Sequence, residues 1–306
     1  MIGQDIVLLS FWGKGIEVSS NEYSLLARIA DRFGPFLVSS SPQDLMHVSF
    51  EISSPGHTRI SVGERSGIVS FDGSWPDPSD VIKLLVVQAH PERLFIHASC
   101  VSHDGTGLVF AGSSTCGKTT LAIAMAKRGW TVLADDLVPL DVSRRQVLPF
   151  PTSPTLRPFT AKLLNQSETP DRLSQHTECE QRLNAIFLLD QKAENKESAR
   201  DLTSQLRRWT ILSKICCGPS AAPNARSAKT LSSYNPEDFN RAPSIAKASH
   251  AFALREVMSL THPPAPPFRE TLAAVSDFVE EIPTYYLKGG HLDSTVELIL
   301  NVAGCQ

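Results

Sequence analysis

An α/β chain built on a mixed sheet is the architecture this sequence predicts, and three observations carry the expectation. Leu108-Val109-Phe110-Ala111 is an apolar run with the length and composition of a buried strand. A glycine-rich turn, Gly112 to Thr119, follows it, and then Leu121, Ala122, Met125 and Ala126 recur at helical spacing until Gly129. A second apolar run, Thr131-Val132-Leu133-Ala134, ends on Asp135-Asp136. Upstream, Asp104-Gly105 separates Leu94–Ser102 from Gly107–Gly112, a tight-turn signal that makes the strand before the glycine turn the second arm of a hairpin. A hairpin at this place gives a mixed sheet rather than a plain parallel one.

Residues 1 to 90 read as a smaller N-terminal α+β region. Ile6 to Leu9 and Ile16 to Val18 are paired strands around Gly13-Lys14-Gly15. Glu22 to Phe33 is a helix with Leu25, Leu26, Ile29 and Phe33 on one face, stopped by Gly34-Pro35. Short strands are expected at 36–38, 46–52, 58–62 and 67–71, then a helix over Ser79 to Ala89. Trp12 and Trp75 read as packing or interface residues.

Residues 91 to 306 form the second region. Past Asp136, strands are expected at Leu137–Leu140 and Val147–Phe150, then at Ala185–Leu189. Phe150 to Pro158 is a proline-rich loop that carries Arg157. Leu202 to Ile215 is a predicted helix, and the Ser-, Ala-, Asn- and Pro-rich stretch 219–243 reads as a mobile insertion. A helix within Thr271–Val279, a strand at Thr284–Lys288 and a helix at Asp293–Ala303 close the chain.

Composition narrows the class. Of 306 residues, 42% are hydrophobic and 20% charged, ordinary for a soluble globular protein. A net charge of −3 argues for no nucleic-acid or membrane partner. The six cysteines show no metal-ligand spacing, which points to reduced thiols in the cytoplasm. The N-terminus has no basic segment or small-residue cleavage site and reads as a first strand.

The chemistry is concentrated in one stretch. Gly112-Ser113-Ser114-Thr115-Cys116-Gly117-Lys118-Thr119 matches G-x-x-x-x-G-K-[ST] in full, with strand and helix on either side. In such a Walker A loop the glycines let successive N–H groups converge on phosphate at a helix N-terminus, and Thr120 extends the cradle. Lys118 would set its ammonium against the β- and γ-phosphates of ATP. Thr119 would offer a hydroxyl to Mg²⁺, and the acidic pair the carboxylate that completes or orders the metal shell.

Ile96-His97, Gly112–Thr119, Lys127-Arg128-Gly129 and Ala134-Asp135-Asp136 together resemble the catalytic domain of the HPr kinase/phosphorylase family over residues 93 to 141. The resemblance implies a P-loop kinase core of the HPr kinase/carboxykinase type, using MgATP. It implies Asp136 as the general base toward an acceptor hydroxyl, Asp135 as its neighbour on the base or metal, and His97 across the pocket. Thr119-Thr120 stand where the family has serine followed by glutamate, and Arg157 is the candidate substitute for the family's downstream arginine. The pattern looks more like the shorter relatives in peptide natural-product clusters, some of which phosphorylate a hydroxyl on a precursor peptide. A ring of subunits is usual in the HPr kinase/phosphorylase family, so the resemblance also implies a homo-oligomer.

Three functions fit these residues. One is an ATP-dependent kinase (a phosphotransferase) acting on a serine or other hydroxyl of a protein or peptide. Another is an ATP-binding partner protein or ATPase without a phosphoryl acceptor. The third, again by resemblance, is a carboxykinase-like small-molecule enzyme.

Overall fold

The structure, a computed structural model, describes residues 6–54, 56–71, 77–113, 116–152, 160–161, 164, 179–189, 210–218, 241–262 and 268–304. It is a mixed α+β fold with two mixed sheets. The chain divides into two compact units, Met1–Pro91 with Ala199–Ala228, and Glu92–Ser198 with Lys229–Gln306. The stretch Ala199–Ala228 groups with the first unit, although it lies within the second region of the sequence.

In the first unit, β1 (Ile6–Phe11) and β2 (Lys14–Ser20) form an antiparallel hairpin. The turn falls at Trp12-Gly13, both with positive φ (45° and 89°), one step before the glycine–lysine–glycine triplet that sequence suggests. The strands β3 (Asp44–Ser54), β4 (His57–Val62) and β5 (Arg65–Val69) complete a sheet of order β1-β2-β3-β4-β5. Only β2 and β3 run parallel, because α1 (Tyr23–Arg32) crosses between them. Leu25, Leu26 and Ile29 of α1 are buried, as their spacing predicts.

The strand expected at 36–38 does not form. Gly34–Phe36 is a single 3-10 turn with Pro35 inside it, and the chain then meets β1 through one isolated bridge, Leu37 to Leu9, with Val38 N–H donating to the Leu8 carbonyl (3.1 Å) and the Phe36 ring 4.5 Å from that of Phe11. Trp12 instead packs on aromatic neighbours, 5.1 Å from the His90 ring and 6.4 Å from Phe36. Trp75 lies outside the described residues.

α2 (Pro78–Ala89) is buried almost all round, which suits its Val- and Leu-rich sequence. Its start is a capping box: Asp77 accepts from Ser79 N–H (2.7 Å), and Asp80 accepts from Asp77 N–H (2.9 Å). The helix over residues 210–217 (α4) closes the unit at β5. A Cβ on Gly67 would lie 2.7 Å from Ile215 Cδ1, so a glycine is what lets this helix approach. Arg65 donates to the Cys216 carbonyl beside it (3.0 Å).

The second unit is built on a sheet of nine strands. β6 (Leu94–Ile96), β7 (Ala98–His103), β8 (Thr106–Ala111), β9 (Thr131–Asp135), β10 (Val138–Asp141), β11 (Gln146–Val147) and β12 (Gln181–Leu189) run in the order β6-β10-β11-β12-β8-β7-β9. β14 (Thr284–Lys288) joins β12 in parallel, and β13 (Ser244–Lys247) joins β14 on its far edge. The single strand expected over Leu94–Ser102 is broken at His97, with β6 turning to β10 and β7 to β8 and β9. The Asp104-Gly105 turn stands as expected, both residues at positive φ (47° and 78°), a pattern suited to a two-residue hairpin.

β8 and β12 run parallel, and β9 shares their direction because β7 lies antiparallel to both β8 and β9. Their carboxyl ends therefore emerge at one edge of the sheet. Phe110, Phe187 and Tyr285 stand directly opposite one another on β8, β12 and β14, ring centroids 5.9 and 5.5 Å apart. α3 (Lys118–Ala126) and α7 (Leu292–Ala303) add Leu121, Met125, Val296 and Ile299 to this core. α5 (His250–Leu260) and α6 (Phe268–Glu281) pack on one another, and Thr261 after α5 bridges to Ile96. β13 went unread in the sequence, since its four residues adjoin the polar stretch 219–243; residues 219–240, like Arg157, lie outside those described.

Partial burial would raise the Asp77 carboxyl, but the Lys83 ammonium and the bonds from Ser79 hold it below the usual carboxylate range. A lowered carboxylate stabilises the fold at neutral pH, and that contribution is lost as pH falls. Asp77→Ala should therefore cost about 0.5–1 kcal/mol at pH 7 by urea unfolding, a difference that shrinks as the pH drops below about 4.

Candidate functional site

The glycine loop leaves β8 at Ala111 and enters α3 at Lys118. Gly112 allows a close approach: a Cβ there would lie 2.7 Å from Cys116 Sγ and 3.3 Å from the Leu189 carbonyl. Gly117 is the N-cap of α3 in the left-handed region (φ 105°), with no side chain capping the helix. Bare N–H groups at a helix start, aimed past the carboxyl ends of parallel strands, form an anion-binding end. Ser114 and Thr115, two of the residues expected to hold phosphate, lie outside the described residues; Ser113, Cys116 and Thr120 stand in the loop and the first turn.

Lys118 is buried, and its ammonium donates to the carbonyls of Gly112 (3.0 Å) and Ser113 (2.8 Å) and to His97 Nε2 (3.1 Å). Three acceptors match the three donors of an ammonium. Because the lysine can only donate, Nε2 of His97 accepts, and Nδ1–H is left to point at Asp136. That nitrogen lies 3.0 Å from the Asp136 carbonyl oxygen and 3.2 Å from its Oδ1. A continuous chain thus runs from lysine through histidine to carboxylate. His97 reaches both ends because the break between β6 and β7 puts it opposite the end of β8 and the end of β9.

The two aspartates divide between two sets of partners. Asp135, the last residue of β9, is buried and accepts from Thr119 Oγ1 at 2.9 Å (Oδ1) and 3.1 Å (Oδ2). Ser99 Oγ also donates to Oδ1, and Thr152 Oγ1 donates to the Asp135 carbonyl (3.4 Å). Asp136 has φ 73°, a left-handed conformation that ends the strand and swings its half-buried carboxylate to His97. Aspartate tolerates this conformation better than most side chains. In a regular strand the two side chains would alternate faces; the turn at Asp136 frees the second from that rule.

Each of His97, Lys118, Thr119, Asp135 and Asp136 is therefore found within one connected site. Ser99 and Thr152 are the members that sequence reading missed. Ser99 has a retrospective signal, standing two residues after His97 in the same short segment. Thr152 has none, since Phe150 reaches β9 by an isolated bridge to Ala134.

Thr119 and Asp135 supply a hydroxyl and a carboxylate in mutual contact, hard oxygen donors of the kind Mg²⁺ takes when substrate and water complete its shell. No cluster of three or more His, Cys, Asp or Glu side chains suited to an all-protein metal site occurs among the described residues. No helix among them is long and apolar enough to cross a membrane.

No family model matches the chain, and no curated protein matches it. Among solved structures, the HPr(Ser) kinase/phosphatase from Coxiella burnetii matches with 15% identity and a TM-score of 0.19, over 32% of this chain and 60% of that one. The chain thus spans less than two thirds of that protein.

Cys100, next to Ser99 on β7, is wholly buried, and burial pushes its thiol far above the usual range. It is a core side chain and no nucleophile. At pH 8 iodoacetamide should label the exposed Cys179 and leave Cys100 unlabelled until the protein is unfolded, read by peptide mass mapping.

Proposed function

We propose that this chain is an ATP-dependent kinase that transfers the γ-phosphoryl group to a serine or other hydroxyl of a protein or peptide, with a P-loop core of the HPr kinase/carboxykinase type. The observation that carries the reading is the Lys118–His97–Asp136 chain, which ties the residue suited to phosphate to the residue suited to a proton. A pure nucleotide-binding site has no use for a second carboxylate held away from the metal side.

In this reading the glycine loop and the start of α3 bind the triphosphate. Lys118 exchanges its loop carbonyls for β- and γ-phosphate oxygens and offsets charge on the transferring group. Thr119 and Asp135 would hold Mg²⁺, which would supply positive charge to offset that of the phosphates when bound. Asp136 accepts the proton of the acceptor hydroxyl as its oxygen bonds to the γ-phosphorus; the bond from that phosphorus to the bridging oxygen breaks and ADP leaves. His97 holds the Asp136 carboxylate at the distance that Nδ1 sets. The buried core beneath the site keeps these groups from relaxing toward water.

In this reading the Asp136 carboxylate, held by His97, takes the proton of an attacking hydroxyl and not of water. Incubation with γ-³²P-ATP and a panel of serine- and threonine-containing peptides, with free phosphate counted in parallel, tests the choice. Labelled peptide is the expected result. Free phosphate with no labelled peptide would instead support the ATPase reading.

Lys118→Ala should lower transfer by roughly 100-fold or more, as loss of one preorganised positive donor does elsewhere. Asp136→Asn keeps the shape and the tolerance for positive φ while removing the base. It should lower kcat by about 100- to 10,000-fold and leave MgATP affinity within about threefold, measured by steady-state kinetics and calorimetry. Full turnover by this variant would remove Asp136 from the role.

A further inference from the structure

We infer that Ser99 is a positioning residue for the Asp135 carboxylate, setting which of its oxygens a divalent cation meets; the inference rests on the proposed reading of the site. Ser99 lies directly opposite Asp135 in the β7–β9 pairing and has no exposed surface. Its neighbours on β7, Ala98, Cys100 and Val101, are equally buried and apolar. A hydroxyl in such a place costs free energy unless it is bonded, and a carboxylate acceptor makes that bond a charge-assisted one.

Counting acceptors shows what the bond does. Ser99 and Thr119 both donate to Oδ1 of Asp135, Thr119 at 2.9 Å. Ser99 donates to Oδ1 alone, whereas the single proton of Thr119 is shared between Oδ1 and Oδ2. Oδ2 has Thr119 alone as its partner among the described residues, at the longer distance of 3.1 Å. With Oδ1 held from the strand side, rotation of the carboxylate is stopped, and Oδ2 is the oxygen presented beside the Thr119 hydroxyl. Without Ser99, Oδ1 loses its anchor and the group can turn about its Cβ–Cγ bond. The cross-strand register makes this arrangement rigid, since Ser99 and Asp135 are backbone partners as well as side-chain ones.

Outer partners that orient a ligating carboxylate usually affect metal affinity by 10- to 100-fold. The test uses Mn²⁺ as the probe, titrated into the full-length protein with ADP and followed by the loss of the free Mn²⁺ electron paramagnetic resonance signal. Ser99→Ala should weaken Mn²⁺ binding by about tenfold while ADP affinity without metal stays unchanged, and Ser99→Thr should restore Mn²⁺ binding. Should Ser99→Ala fail to fold, Ser99→Cys keeps the bulk with a much weaker donor and should show the same loss. Equal Mn²⁺ affinity in wild type and a folded Ser99 variant, with only the melting temperature lowered, would overturn the inference and leave the kinase reading standing. A wild-type protein that binds neither ADP nor Mn²⁺ would overturn both.

Discussion

Pairing of β7 on both of its edges is the constraint from which the site follows. One edge sets Ala98 opposite Ala111, where the glycine loop begins, and the other sets Ser99 opposite Asp135, where β9 ends. Slipping either register by one residue would turn every side chain to the other face of the sheet. His97 would then miss Lys118 and Asp136 together. The aromatic row of Phe110, Phe187 and Tyr285 aligns β8, β12 and β14 with one another, the frame on which β7 pairs, with Phe110 tilted against Phe187 and Phe187 stacked on Tyr285. Burying one such ring contributes about 1.5–3 kcal/mol before any stacking, which is large against the net stability of a domain.

The polar groups at this edge are few but closely matched. Lys118 is buried with as many acceptors as it has donors, and a buried ammonium lacking them would carry a heavy desolvation cost. His97 serves as acceptor to the lysine and donor to the aspartate, a dual role that the two ring nitrogens of a neutral imidazole fill. Hydrogen bonds in such a chain polarise one another. His97 is thus the link through which Lys118 and Asp136 share one hydrogen-bonded chain.

Much of this was legible in the sequence, for reasons that differ by residue. Gly112–Thr119 and Asp135-Asp136 announce themselves because phosphate and metal chemistry demand residue types in a fixed local order. His97 was legible only through a resemblance that links it to both. Ser99 was not, because its role depends on which strand lies opposite, and cross-strand register is not written in local composition. The break at His97 was hidden for a related reason: Leu94–Ser102 reads as one apolar run, and its division into β6 and β7 comes from two different pairing partners. At Phe36-Leu37-Val38 the residues suit a strand, yet Pro35 and Gly34 hold the chain in a 3-10 turn before a ladder can form.

The return of residues 210–217 to the first unit bears on how this protein can be taken apart. The chain passes from one unit to the other at residues 91–92, 198–199 and 228–229, so no single cut separates them. A fragment beginning at residue 92 would carry the helix that covers Gly67 but not the strand it covers. Leu212, Ile215 and Cys216, all buried in the intact chain, would then face water. The complementary fragment, ending at residue 91, would show the matching bare face on β5, an edge strand and so a template for association with other chains. Aggregation of either half would thus report on chain routing and not on the strength of its own core.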